Sequence, residues 1–183
     1  MAIDHILKLY AETIRSPYLH YGFWNEPEIV NADLLSIDDI AKAQRRYIQH
    51  LTSFIPEEVR SILDVGCGVG GNAAYLKERG FDIDVLSPDT YQEEMIKEKF
   101  NGTMQFFKSK FEDFENNRAY DLILESESAC YIKIEPGFTS ARRALRTGGY
   151  LLVADYFVYY RNKRGSPHLK SSHPMQAYLK AGE

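Results

Sequence analysis

Apolar residues recur along this chain at two different spacings, and the change falls near residue 60. Upstream, Ile3, Ile6, Leu7, Tyr10 and Ile14 in MAIDHILKLYAETIR keep helical intervals, which predict a helix over residues 2–15. A second helix is predicted over 36–54, where Ser36 can cap the N-terminus and Ile37, Ile40, Ala41, Tyr47, Ile48 and Leu51 form one apolar face. The connector SPYLHYGFWNEPEIV carries Tyr18, Tyr21, Phe23 and Trp24, so aromatic for a loop that it is expected to fold over something as a lid.

From residue 60 the pattern becomes short apolar run, turn and helix, repeated. RSILDV leads into GGNAAYLKER and FDIDVL into PDTYQEEMIKEK; TMQFFK and YDLILE follow, and GYLLVADYF comes after the helix-like FTSARRALR. Short apolar strands alternating with helices build parallel βαβ units, so the expected fold is α/β, with a doubly wound, mainly parallel sheet. At 183 residues the chain is read as a single domain, 1–183, with residues 1–55 as a helical N-terminal extension and 60–157 as the core. HPMQAYLKAGE reads as a helix cut off at its start.

Composition narrows the function classes. No stretch approaches the roughly 18 apolar residues of a membrane span, and the helical spacing at the N-terminus is unlike the uninterrupted apolar core of a signal peptide. A net charge of −4 argues against a nucleic-acid platform, and Arg161, Lys163, Arg164 and Lys170 are read as a solvated loop. Cys67 and Cys130 have no Cys or His neighbours at metal-ligand spacing, so neither a disulfide framework nor a metal site is indicated. A cytoplasmic protein is the expectation.

The chemistry concentrates in Ile62-Leu63-Asp64-Val65-Gly66-Cys67-Gly68-Val69-Gly70-Gly71, which puts glycines where a strand turns into a helix. Without Cβ atoms the backbone can take positive φ there and a ligand can approach the peptide groups closely. Gly66, Gly68 and Gly71 also fit the dinucleotide pattern G-x-G-x-x-G, with Asp84 about 20 residues on. Asp64, directly before the turn, favours the other reading, because its carboxylate can accept turn amides or face a cationic ligand.

ILDVGCGVGGNAAYL resembles the first motif of class I S-adenosylmethionine-dependent methyltransferases, where an acid-x-Gly-x-Gly turn holds the methionine part of the cofactor. Leu86-Ser87-Pro88, FEDF at 111–114, YDLILESESACYI at 120–132 and LRTGGYLLVADYF at 145–157 are similar to the later motifs in the family's order. YLHYGFW is similar to the lid of the tocopherol, sarcosine and cyclopropane-fatty-acid group. The resemblance implies a Rossmann-like fold, S-adenosyl-L-methionine as cofactor with S-adenosyl-L-homocysteine as product, and a small-molecule acceptor. It implies cofactor contact for Asp64, Gly66, Cys67 and Gly68, for Leu86 and Ser87 beside the ribose, for Phe111 and Glu112 near the adenine, and for Glu125 and Ser126. Tyr18, Tyr21 and Trp24 belong to the lid over the substrate.

This sequence departs from the family at Val85, where a ribose-binding carboxylate is usual, and at Lys110, where an adenine-binding acid is common. Strand alternation puts Asp84 on the opposite face. The 26 residues after Phe157 are too few for the last strands of the usual seven-stranded sheet, whose absence would leave the fifth strand as an edge open to self-association.

Methyl transfer from a sulfonium needs positioning and exclusion of water more than obligatory catalytic groups. His20 is the candidate general base for a hydroxyl acceptor, and Tyr131 faces the acceptor in relatives. Glu125 and Glu127 would share one strand face two residues apart, and cofactor or capping duties fit them better than a paired acid/base site. O-, N- and C-methylation all stay open. So do two alternatives: a cofactor-binding subunit without turnover, and a nicotinamide-dependent oxidoreductase.

Overall fold

Five strands, β1 (Ser61–Val65), β2 (Asp82–Leu86), β3 (Phe106–Phe107), β4 (Tyr120–Ser126) and β5 (Leu145–Ala154), pair in parallel in the order β3-β2-β1-β4-β5. The computed structural model describes residues 5–14, 16–30, 32–159 and 172–183. The helices are α1 (His5–Ile14), α2 (Glu26–Val30), α3 (Ile37–Thr52), α4 (Gly71–Lys77), α5 (Thr90–Phe100), α6 (Ile134–Ala144) and α7 (Met175–Gly182), with α3, α4 and α5 on one face of the sheet and α6 on the other. The expected doubly wound, parallel sheet is therefore present. Its strand order reverses between β1 and β4, and the crevice beyond their C-terminal ends is where such sheets bind ligands.

Because both faces are covered, the central strands read as nearly continuous apolar runs. Ile62, Val85, Leu122 and Leu124 pack on one side with Ile48 and Leu51 of α3, Ala73 and Leu76 of α4 and Ile96 of α5. Leu63, Val65, Leu86 and Ile123 pack on the other with Phe111, Phe114 and Ala141 and Ala144 of α6. Helix α7 lies against α6. Among the described residues, β5 pairs with β4 alone and no strand covers its outer edge.

Several elements differ in detail from the expectation. Ser36 caps α3 in a reciprocal capping box with Asp39. The buried stripe of that helix, however, is Ala43, Gln44, Ile48 and Leu51, while Ile37 is 57% exposed and Ala41 is exposed. TMQFFK contributes only the two residues of β3. Residues 145–149, expected as the end of a helix and a glycine turn, begin β5 instead, with an irregular register opposite Tyr120–Leu122. Asp84 does face away from Asp64, accepting Tyr120 Oη–H at 2.7 Å and Arg118 Nη1–H at 2.7 Å. The basic stretch at 161–170, His168 and the first residues of the predicted 2–15 helix lie outside the described residues.

Candidate active site

The glycine turn is held from behind by β2 and from above by the lid. Leu86 O accepts Gly66 N–H at 2.8 Å and Cys67 N–H at 3.4 Å, which folds the chain back as β1 ends. Gly66, Gly68 and Gly70 have φ of +74°, +56° and +78°, values that L side chains rarely adopt. Gly66 has a second reason: a Cβ there would stand 2.4 Å from Ser128 Cβ, in the loop after β4. Ser128 Oγ–H in turn donates to Val65 O at 2.6 Å, so the exits of β1 and β4 are tied together.

Residues 17–20 of the lid lie directly on this turn. A Cβ on Gly71 would meet Pro17 O at 2.1 Å, and one on Gly68 would meet Leu19 at 3.1 Å. Helix α3 fixes the lid from its other side. Gln44, fully buried, donates from Nε2 to His20 O at 2.6 Å and to Tyr18 O at 3.3 Å, and Phe23 N–H donates to Ala43 O at 2.8 Å. Trp24 Nε1–H closes a turn onto Tyr21 O at 2.8 Å. Between lid and turn lies a small open cavity of about 30 Å³, lined by Tyr18, His20, the glycine turn, Asn72 and Ser126.

Two buried groups at this place lack partners. Asp64, 1% exposed, has no hydrogen bond to Oδ2, and burial pushes its carboxyl up to about 7. His20, 5% exposed, stacks on Tyr47 at 4.1 Å, and neither ring nitrogen reaches a hydrogen-bond partner. Burial pushes its imidazole down to about 4, against a weaker opposing effect of the Asn72 side chain, so the ring is neutral near pH 7. Buried polar atoms without partners are uncommon and costly, which makes these two candidates for ligand contact.

The other sequence candidates separate. Tyr18, His20, Gly66, Cys67, Gly68 and Ser126 come together at the cavity. Ser126 Oγ–H donates to Tyr47 Oη at 3.1 Å. Leu86 and Phe111 are buried in the core beneath α6, and Ser87 accepts Asp89 N–H on its Oγ at 3.2 Å. Glu112 accepts Lys133 N–H at 3.2 Å, at the start of α6. Tyr131 is 75% exposed and does not line the cavity.

Glu125 and Glu127 do not form the shared-face pair expected from spacing. Glu125 ends up beside α7 and accepts Tyr178 Oη–H at 3.0 Å, whereas Glu127 lies past the strand at φ +53° and accepts Tyr21 N–H at 3.3 Å on both oxygens. Both carboxyls are pushed up to about 7, first by burial and further by the neighbouring Asp155.

Gln44 and Tyr47 were missed as site residues. The signal for Gln44 was available: it occupies a buried position on the α3 stripe between Ile40 and Ile48, where an amide needs a specific partner. Tyr178, the partner of Glu125, is set by the docking of α7 on α6 and left no local signal.

A family model described as a methyltransferase domain matches residues 40–178. Over 137 residues the chain is 28% identical to phosphoethanolamine N-methyltransferase 3 of Arabidopsis thaliana, covering 65% of this chain and 27% of that protein. It is 30% identical over 125 residues to a sterol 24-C-methyltransferase of Saccharomyces cerevisiae, covering 63% and 32%. Among solved structures, geranyl diphosphate C-methyltransferase from Streptomyces coelicolor, in complex with Mg2+, geranyl diphosphate and S-adenosyl-L-homocysteine, has the same fold, with a TM-score of 0.74 at 16% identity over 94% of this chain and 72% of that one. The chain spans about half or less of the length of the first curated relatives that it matches.

Proposed function

The chain belongs to the methyltransferase domain family, and from that premise we propose that it transfers a methyl group from S-adenosyl-L-methionine to a small-molecule acceptor held beneath the 17–25 lid. The observation that carries this reading is the partnerless Oδ2 of buried Asp64 at the root of a glycine turn held at positive φ beneath the lid. That donor set fits the cofactor: Asp64 would hold the ammonium of its methionine part, and the main chain of Gly66, Cys67 and Gly68 would hold its carboxylate end. By resemblance, Leu86 and Ser87 would lie beside the ribose and Phe111 and Glu112 on the adenine side, through the main chain where the Leu86 and Phe111 side chains are buried in the core, and Glu125 and Ser126 would bound the site at the end of β4. When bound, the cofactor supplies a methyl group activated by a sulfonium.

What the chain adds is position, dryness and a place for the acceptor's proton. The lid, clamped by Gln44, lies over the glycine turn with Tyr18 lining the cavity, and Tyr21 and Trp24 would complete the cover that limits water at the acceptor. His20, neutral and lining the cavity beside Asn72, would take the acceptor's proton, a role that its cavity position supports better than that of exposed Tyr131. The engagement of Asp84 by Arg118 and Tyr120 speaks against a nicotinamide cofactor, which would need that carboxylate free for the ribose. With a net charge of −4 we assign a metabolite rather than a nucleic acid as acceptor, and two cysteines that form no disulfide suit the cytoplasm.

Calorimetric titration with S-adenosyl-L-methionine, S-adenosyl-L-homocysteine and NADH tests the reading. Binding of both adenosyl ligands, weakened in Asp64→Asn, is expected. Binding of NADH alone would overturn it.

A further inference from the structure

His20 is held between two tyrosines. Its ring stacks on Tyr47 with centroids 4.1 Å apart and tilts against Tyr18 at 5.1 Å, so both faces are flanked and the nitrogens are left to the ring edge. A neutral imidazole carries one N–H that needs an acceptor and one bare nitrogen that can accept a proton. Both nitrogens are buried, and neither has a partner in hydrogen-bond geometry. The flanking rings bring no charge, because burial pushes the hydroxyls of Tyr18 and Tyr47 above their ordinary range.

Asn72 lines the same cavity. It is the second residue of α4, directly after Gly71, where a Cβ would come 2.1 Å from Pro17 O. The missing Cβ lets the lid rest on the start of α4, which sets His20 and Asn72 on the wall of one cavity of about 30 Å³. Asn72 Oδ1 is buried and also lacks a partner. Ser126, on the same wall, already gives its hydrogen to Tyr47 Oη at 3.1 Å. The side chain of Asn72 pulls the imidazole up against the stronger downward push of burial. That is the effect of an acceptor: an oxygen that takes an imidazole N–H favours the charged ring, whereas an amide donor favours the neutral one.

We infer that Asn72 orients His20 for proton transfer: its Oδ1 takes the N–H of one ring nitrogen, which fixes the tautomer and leaves the other nitrogen bare for the acceptor's proton. Asn72 is a positioning residue that acts through His20. Its role in turnover rests on the methyl-transfer reading, whereas the pair itself can be observed without any ligand. As the reacting atom of the acceptor bonds the methyl group, its proton passes to the bare nitrogen, and the electron pair of the broken methyl–sulfur bond stays on sulfur. The imidazolium so formed keeps its first N–H on Asn72.

Nitrogen NMR spectra of the histidine rings in the full chain test the pair, the His20 signals being those missing from His20→Phe. At pH 7 a single tautomer is expected, with one protonated and one bare nitrogen. Asn72→Leu, of similar volume but without an acceptor, should give a mixture of tautomers. Asn72→Asp keeps an acceptor and adds a charge, so the parent's tautomer should persist and the titration midpoint of the ring should rise by about 1 pH unit or more. A residue that only packs the start of α4 changes neither. A mixture in the parent chain, or a tautomer unchanged in a folded Asn72→Leu, would overturn the inference. If the leucine variant does not fold, an unmoved midpoint in Asn72→Asp would overturn it as well. Calorimetric titration of the same sample with S-adenosyl-L-homocysteine keeps the two readings apart: failure to bind sinks the methyl-transfer reading, and the spectra still decide the pair.

Discussion

Gln44 donates its side-chain amide to the main-chain carbonyl of His20 at 2.6 Å from a position with no solvent exposure. A second bond from the same nitrogen reaches Tyr18 O, so one residue of α3 sets the path of the lid over the glycine turn. Replacing Gln44 by Leu keeps the volume and removes both donors. The variant should lose about 1–3 kcal/mol in urea unfolding, and amide exchange should accelerate at residues 18–21 before it does in β1 or β4. Unchanged exchange in the lid would mean that Gln44 serves only the core.

The layered fold was legible because its signal is local: each strand of 60–157 is a short apolar run ended by a turn residue, and each helix repeats at its own period. The glycine turn was legible for the same reason, since Gly66 and Gly68 stand at positive φ where the chain must reverse. What stayed hidden depends on distant pairings. The second reason for Gly66 is Ser128, 62 positions away, and the partner of Glu125 is Tyr178 on the last helix. Glu127 was expected on one face with Glu125 because alternation was extended one residue too far; at φ +53° the strand has already ended.

Asp64 should impose a pH dependence on cofactor binding. Its carboxyl is pushed up to about 7 in the folded chain by burial. The folded state therefore holds a proton that the unfolded chain has lost, and stability contributed here falls as pH rises from about 4 to 7, by on the order of 4 kcal/mol. Binding a cationic ammonium requires the ionised form. Affinity for S-adenosyl-L-methionine should thus rise up to about tenfold per pH unit below 7 and level off above it. Calorimetry across that range should show the slope in the parent chain and none in Asp64→Asn.

Gly66→Ala combines two penalties. The left-handed φ costs about 1–2 kcal/mol for a residue with a Cβ, and that Cβ would overlap Ser128. Ser128 cannot retreat without losing its bond to Val65 O. A loss of about 2–4 kcal/mol in unfolding free energy is expected, with weakened adenosyl-ligand binding. Gly80→Ala is the control: its φ is also positive, but its Cβ would meet nothing within 4 Å, so it should cost only the conformational part.

His20 decides between a base and a packing residue. Its imidazole, pushed down to about 4 by burial, binds protons less well folded than at its ordinary value of 6.5. Its contribution to stability is therefore complete above about 6.5 and is lost as pH falls toward 4, on the order of 3 kcal/mol. His20→Phe keeps a ring to stack on Tyr47, removes this acid-linked loss and takes the imidazole nitrogens out of the cavity. If the imidazole takes the acceptor's proton, kcat should fall by about 100-fold or more while adenosyl-ligand binding stays within about twofold. The acid limb of the rate profile separates the two roles further. A limb set by His20 lies near pH 4 and vanishes in the Phe variant. One set by Glu127 or Asp64, whose carboxyls are pushed up to about 7, lies near neutrality and survives it. Full activity in His20→Phe with an unchanged profile would leave the ring as packing for the lid and move the proton to Glu127.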